Sequence, residues 1–483
     1  MNKKFLIGLF LISLIVLNGG CGGSSSNNFV TPATNVNEAL KGTWSSSDGT
    51  STITGTNTDS DELDSFVEAF GEVPDEVLKQ YKAETVEAVK APVTRVMAVF
   101  DDCNITESNG TAKLTAIVTI SNDNAFLPIL FNDVSLSTKR NGTNEWTATT
   151  SNGDTLSIKM TSEEQINLSG KVRYLDYDCE FSTVINKNQS NSINPRTILG
   201  GTWNLDGTQG GGYLADESEI ISAIVPESVS MFFKDTGEED STLMKSFYSL
   251  RMKTSSSENP EDISLLQDVT PETEGTLSQV YGNVYKFQET NGDESIIFVE
   301  NTDEIFMFRV ESKDNDGETC IFLPLKKVAF DIEEALKKNW TATEGDGGGY
   351  AKFNLENQND DPELASLISL LDTVSLTIQN GTLNFSGVTL NDDDTITATM
   401  GIDATFLFTN KGLEILGIQG EIVTVSDSSS YKMRRSGNFL EFEDSDGGVY
   451  KISFISDTEL FLSTNYEEEG TGEGELVMRF HAN

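Results

Sequence analysis

Histidine occurs once, as His481, two residues before the terminus. One imidazole cannot build a three-histidine zinc site, and its position disfavours a Ser-His-Asp triad. The chain has no G-x-S-x-G, no H-E-x-x-H and no G-x-x-x-x-G-K. Paired carboxylates hydrolyse glycosides, but among 77 acidic residues no pair is singled out by its spacing. The expectation is therefore a non-catalytic protein that needs no cofactor. Calcium is the one metal with candidate ligands. Asp314, Asp316 and Glu318 in the run Asp314-Asn315-Asp316-Gly317-Glu318 offer clustered oxygens, as does Asn391-Asp392-Asp393-Asp394. Neither run has the twelve-residue spacing of an EF-hand, and both read first as solvated loops. Of the four cysteines, Cys103 and Cys179 fall in one repeat and are candidates for a disulfide, which leaves Cys320 as an odd, buried thiol.

These residues sit in a chain of 483, too long for one ordinary core and of a length for about three domains. The net charge of −44 argues against nucleic acid and anionic headgroups as partners. Residues 1–21 read as a targeting segment: Lys3 and Lys4, then an apolar run from Phe5 to Leu17 too short to span a bilayer. The run ends in Asn18-Gly19-Gly20-Cys21, which resembles the lipobox of bacterial lipoproteins, with Asn18 where that family usually carries Leu. The resemblance implies lipidation of Cys21, export, and anchoring to the cell envelope facing periplasm or cell surface. Residues 22–35, rich in Gly, Ser and Asn, then serve as a flexible tether.

The rest is a triplication. Residues 38–44, 197–203 and 334–340 open alike and end at Trp44, Trp203 and Trp340. Residues 146–168, 285–307 and 440–462 align without a gap. Asn152-Gly153, Asn291-Gly292 and Asp446-Gly447 coincide as two-residue hairpin signals, and apolar residues follow at period two. Asn109-Gly110, Asn141-Gly142 and Asn380-Gly381 suggest further hairpins. The domains are expected at 36–187, 196–328 and 331–483. The linker at Asn186–Pro195 is polar and reads as flexible, whereas the stretch near Leu323–Ile332 is short and apolar, so the second and third repeats are expected to pack together. A helical segment is expected after each first strand: 63–70 and 74–89 in the first repeat, Ile220, Ile221, Ile224 and Val225 before Pro226 in the second, and 361–371 in the third. The fold class is thus all-β with short helices, in three tandem antiparallel up-and-down barrel or meander domains.

Gly42-Thr43-Trp44 and Gly201-Thr202-Trp203, each followed by many antiparallel strands, resemble the lipocalin and fatty-acid-binding superfamily of β-barrels. Lys338-Asn339-Trp340 departs from the motif. The resemblance implies that the Trp closes the barrel base under a basic residue from the last strand. Arg479 is the candidate in the third repeat, as base packing or ligand contact, and no equivalent is evident in the first. It also implies a carrier of a hydrophobic small molecule or lipid. The alternative is a structural or adhesive surface lipoprotein with filled barrels, acting through protein or glycan contacts.

Overall fold

The computed structural model describes residues 36–46, 48–55, 89–106, 108–122, 125–174, 177–188, 199–206, 210–216, 219–235, 243–256, 263–269, 273–312, 317–353, 373–410, 420–445, 447–468 and 472–483. The targeting segment, Cys21, the tether and the helices expected at 63–70, 74–89 and 361–371 lie outside or almost wholly outside these residues.

The described chain forms three separate antiparallel sheets. The first holds β1 (Gly42–Ser46), β2 (Thr50–Gly55), β3 (Val89–Ile105), β4 (Asn109–Asn122), β5 (Ala125–Gly142), β6 (Glu145–Thr149), β7 (Thr155–Ser162), β8 (Gln165–Tyr174) and β9 (Tyr177–Lys187). The second holds β10 (Gly201–Leu205), β11 (Gly211–Asp216), β12 (Glu219–Asp235), β13 (Leu243–Ser256), β14 (Ile263–Val269), β15 (Thr273–Tyr281), β16 (Val284–Glu289), β17 (Glu294–Val299), β18 (Glu304–Ser312) and β19 (Gly317–Val328). The third holds β20 (Trp340–Thr343), β21 (Gly347–Phe353), β22 (Thr373–Leu390), β23 (Thr395–Thr409), β24 (Glu421–Ser436), β25 (Phe439–Glu443), β26 (Val449–Phe454), β27 (Glu459–Glu468) and β28 (Gly472–Ala482). Short helices α1 (Val36–Leu40) and α2 (Ile332–Leu336) precede the first and third.

Each sheet closes on itself. β1 and β2 both bridge β3 to β9, so they are two halves of one strand position, and β3 pairs with β4 to complete the ring. The same closure joins β12 to β13 and β22 to β23. Period-two patterning explains the interiors. Along β7, Leu156, Ile158 and Met160 are buried between more exposed neighbours, and β8 and β9 alternate in step.

Two sequence expectations are corrected. Residues 220–225 are strand, within β12, not helix. The pairing with β11 shifts register within this stretch, from Leu214–Ser222 to Ala215–Ile220, which breaks the period-two spacing of its apolar residues. The hairpin signals also differ in kind. Glycine takes a left-handed conformation at Gly153, Gly292 and Gly447 (φ 90°, 102° and 86°), and Thr150, Glu289 and Asp444 each donate their N–H to the carbonyl four residues on. These are three-residue turns with a left-handed glycine, alike in all three barrels. Asn380-Gly381 is no turn: it lies inside β22 beside a bulge.

In each barrel a long strand leaves its neighbour part-way. β5 pairs with β6 only from Ser137 to Gly142. Its earlier part lies against β11 and β19 of the second barrel. β14 likewise leans on β26, β27 and β28 of the third. β24 pairs with β25 only over Arg434–Ser436.

Candidate functional site

The tryptophan motif resolves into a packing device. Trp44 and Trp203 are buried, and their Nε1–H groups donate to the carbonyls of Leu40 (2.9 Å) and Leu199 (2.8 Å). Lys187 and Lys327, their register partners on the last strands, hold their ammonium groups 5.3 Å from the indole centroids. Burial pushes both lysines below their usual pKa. A Cβ on Gly42 would stand 2.8 Å from Lys187 Cε, and one on Gly201 3.1 Å from Lys327 Cε. The glycine therefore makes room for the lysine.

This corrects the expected basic partners. The first barrel does have one, Lys187. In the third, Trp340 pairs with Ala482, and its Nε1 is buried without a hydrogen-bond partner. Trp340 packs on Phe454 at 5.7 Å, while Arg479 Nε donates to Glu459 at 2.6 Å. With the lysine gone, no glycine is needed, and Lys338 stands in its place, bonded to Asp457.

Cys103 and Cys179 are not joined in a disulfide. Cys179 and Val89 both pair with Ile53 at one end of the first barrel, whereas Cys103 lies fourteen residues further along β3. At ~3.3 Å per residue the separation is on the order of 40 Å, far beyond a disulfide. Burial pushes both thiols up to about 12. Asp314 and Asp316 lie outside the described residues, and Glu318 contributes backbone pairing to β19. Among the described residues no three metal-ligating side chains converge.

An apolar cluster gathers around each of Trp44, Trp203 and Trp340. Among the described residues a buried charged pair points into the second barrel: Arg309 and Glu289, at 5% and 4% exposure. Arg309 pairs with Glu289 and Asp293 (2.9 Å to the latter) and lies 5.2 Å over the Tyr248 ring. Neutralised and hydrogen-bonded in this way, it is a satisfied buried ion pair.

Outside the barrels, ladder pairing defines equivalent rows. Ser157, Ser169, Ser182 and Thr50 lie side by side across β7, β8, β9 and β2. The same row in the second barrel is Ile296, Phe308, Phe322 and Gly211. Ile296, Phe308 and Phe322 are at most 2% exposed and merge with the first barrel into one apolar cluster. Phe306 stacks on Phe322 at 6.1 Å, and the Arg95 guanidinium of the first barrel lies 4.0 Å over Phe306. The expected looseness between the first two repeats is thus corrected by an aromatic joint. In the third barrel the row is Lys451, Ser463, Val477 and Gly348. The second barrel meets the third outside this row, through Phe232, Phe247, Phe439, Ile455 and Phe461. A polar chain runs beside them: Asn438 Nδ2 donates to Ser230 Oγ (2.8 Å) and to the Phe454 carbonyl, Thr202 donates to Asn438 Oδ1 (3.2 Å), and Ser453 donates to Ser249 (2.7 Å).

In the first barrel the same row is open. With Thr52, Thr155, Lys171 and Glu180 from the next row, it lines a groove of about 490 Å³ on the outer wall. Gly170, between these outward residues, faces the interior, where a Cβ would meet the Phe181 ring at 2.3 Å, so it makes room for that ring behind the groove. Lys171 and Glu180 form an exposed ion pair at 2.8 Å across it. The groove can offer hydroxyls and one balanced pair of charges, which is recognition chemistry and not catalysis. Sequence reading missed it. The signal was present in the contrast between alternating Gln165-Ile166-Asn167-Leu168-Ser169 and the continuous apolar run Ile305-Phe306-Met307-Phe308.

No protein-family model and no curated protein matches the chain. Among solved structures, similarity is found to a mutant transferrin binding protein B from Haemophilus parasuis, at 10% identity over 91% of this chain and 75% of that one, with a TM-score of 0.17. The intact transferrin binding protein B structure titled "Ap-TbpB (N and C lobes)" gives 10%, 91%, 77% and 0.17. A DUF3598 protein of unknown function from Nostoc punctiforme gives 10%, 61%, 100% and 0.14. With TM-scores this low, no function carries over from any of them to this chain.

Proposed function

We propose that this chain is a non-catalytic binding protein that works through the outer walls of its barrels, anchored to the cell envelope by lipid on Cys21. The single observation behind this reading is the repeated strand row. On the second barrel it is buried as a contact surface against the first, and on the first barrel it is an open groove lined by Ser, Thr, Lys171 and Glu180. A hydroxyl-rich groove fits a polar protein surface or a glycan better than a hydrocarbon. The carrier reading is less well supported, because apolar clusters pack around each Trp and Arg309 inside the second barrel is already neutralised. A lipocalin-like layout of all three barrels accords with the Trp–Lys base of the first two.

Native mass spectrometry of delipidated protein after lipid exposure tests the reading. The expected spectrum is that of the unliganded mass, and stoichiometric lipid retained in a barrel would overturn it. Metabolic acyl labelling that survives Cys21→Ala would overturn the anchor.

A further inference from the structure

The open edge of the third barrel is a second binding feature, independent of the groove on the first. Along β24, Glu421 to Arg434 pairs with β23 without interruption. On the other side, among the described residues, no strand pairs with Glu421–Met433. Roughly half of the N–H and C=O groups of that stretch point sideways with no strand to receive them. The corresponding edges of the first two barrels are not free, because β5 and β14 each lie against the next barrel in the chain. Burial follows this difference. The outward residues Thr115, Ile117 and Thr119 beside β5 are at most 4% exposed, whereas the outward Ile422 of β24 is 67% exposed.

The chemistry of the edge says what could join it. Asp427, midway along it, faces the barrel side, and its carboxylate accepts from the Tyr431 hydroxyl at 3.4 Å. Where β24 parts from β25, Tyr431, Phe442 and Tyr450 form a ladder of rings with centroids 4.5 Å and 5.2 Å apart. Two copies of this edge, paired antiparallel about Asp427, would set like charges opposite each other, which disfavours self-association. An incoming strand with Lys or Arg at that place meets a carboxylate and the face of an aromatic ring. The chain's net charge of −44 draws the same kind of segment in.

We propose that β24 accepts an extended, Lys- or Arg-bearing segment of a protein partner as an added strand, with the cation seated between Asp427 and Tyr431. The test uses the full chain and three synthetic peptides: an alternating Lys/Val/Thr strand, its Glu counterpart, and the Lys peptide with alternate backbone nitrogens methylated. In fluorescence anisotropy the Lys peptide should bind at least about tenfold more tightly than either of the others, and Asp427→Lys should remove that preference. Hydrogen exchange should show new protection at Glu421–Met433. Equal binding of the methylated peptide would show that charge alone attracts it and would overturn the added strand. Protection elsewhere, or a preference unchanged in Asp427→Lys, would overturn the site. None of these outcomes depends on the groove of the first barrel, so that reading stands or falls separately.

Discussion

The two joints between barrels do the same job with different chemistry. The first is an apolar contact in which Phe306, Phe308 and Phe322 meet the first barrel under the Arg95 guanidinium. The second mixes a phenylalanine cluster with a buried chain of amide and hydroxyl groups centred on Asn438. Apolar contact has magnitude but little direction, whereas a satisfied buried network fixes one register and penalises every other. The first joint is therefore expected to be the stronger, and the second the more exacting and the more easily opened by changes in solvent.

The largest break in this comparison is Phe306→Ala. Removing a fully buried ring that also carries a cation should cost about 3–5 kcal/mol. It should appear in denaturant unfolding as a lowered midpoint for the first and second barrels together. Asn438→Ala comes next. It leaves Ser230, Thr202 and the Phe454 carbonyl short of partners, at about 1–3 kcal/mol for each group left unsatisfied. Proteolysis should then release the third barrel while the first two stay joined. If both variants unfold in one common transition, the joints do not differ in kind.

The smallest effect is acid sensitivity, and it belongs to the second joint. Burial pushes the Glu227 carboxyl up but is outweighed by hydrogen bonds from Lys253 and Arg251, which leave it below its usual value. Asp346 is likewise held low against burial, by the N–H and hydroxyl of Thr343 and by His481. Arg251 also donates to the carbonyl of Gly345, one residue before Asp346, so these carboxylates brace the contact. A depressed folded pKa contributes stability above the unfolded value, and that share fades as pH falls through the folded one. Hydrogen exchange from pH 5 down to 3 should therefore show the second joint opening before the first.

How much of this was legible in the sequence follows from periodicity. Strands with one wet face, such as β7 and β8, announce themselves by alternation, and the gapless match of residues 146–168 with the other two repeats is the same five-residue connection folded three times. Strands buried on both faces lose that signal. Further along β12, Met231 and Phe233 face the second barrel's core while Ser230 meets the third barrel, so both faces are buried there and the joint goes unseen. The Lys partners of Trp44 and Trp203 escaped notice because register, not sequence distance, brings first and last strands together. The candidate site was hidden for the same reason: its residues are ordinary Ser and Thr, and only comparison across barrels marks them.

That meeting of first and last strands also constrains how the protein is made. Trp44 pairs with Lys187, Trp203 with Lys327 and Trp340 with Ala482. Each ring thus closes across a loop of more than about a hundred residues, a high contact order that makes for slow folding. A chain made in order from its N-terminus cannot shut its first barrel until residue 187 has emerged. Until then the Trp44 strand lacks its partner on one side, and the nascent protein presents an unguarded sheet edge to any chaperone or protease nearby.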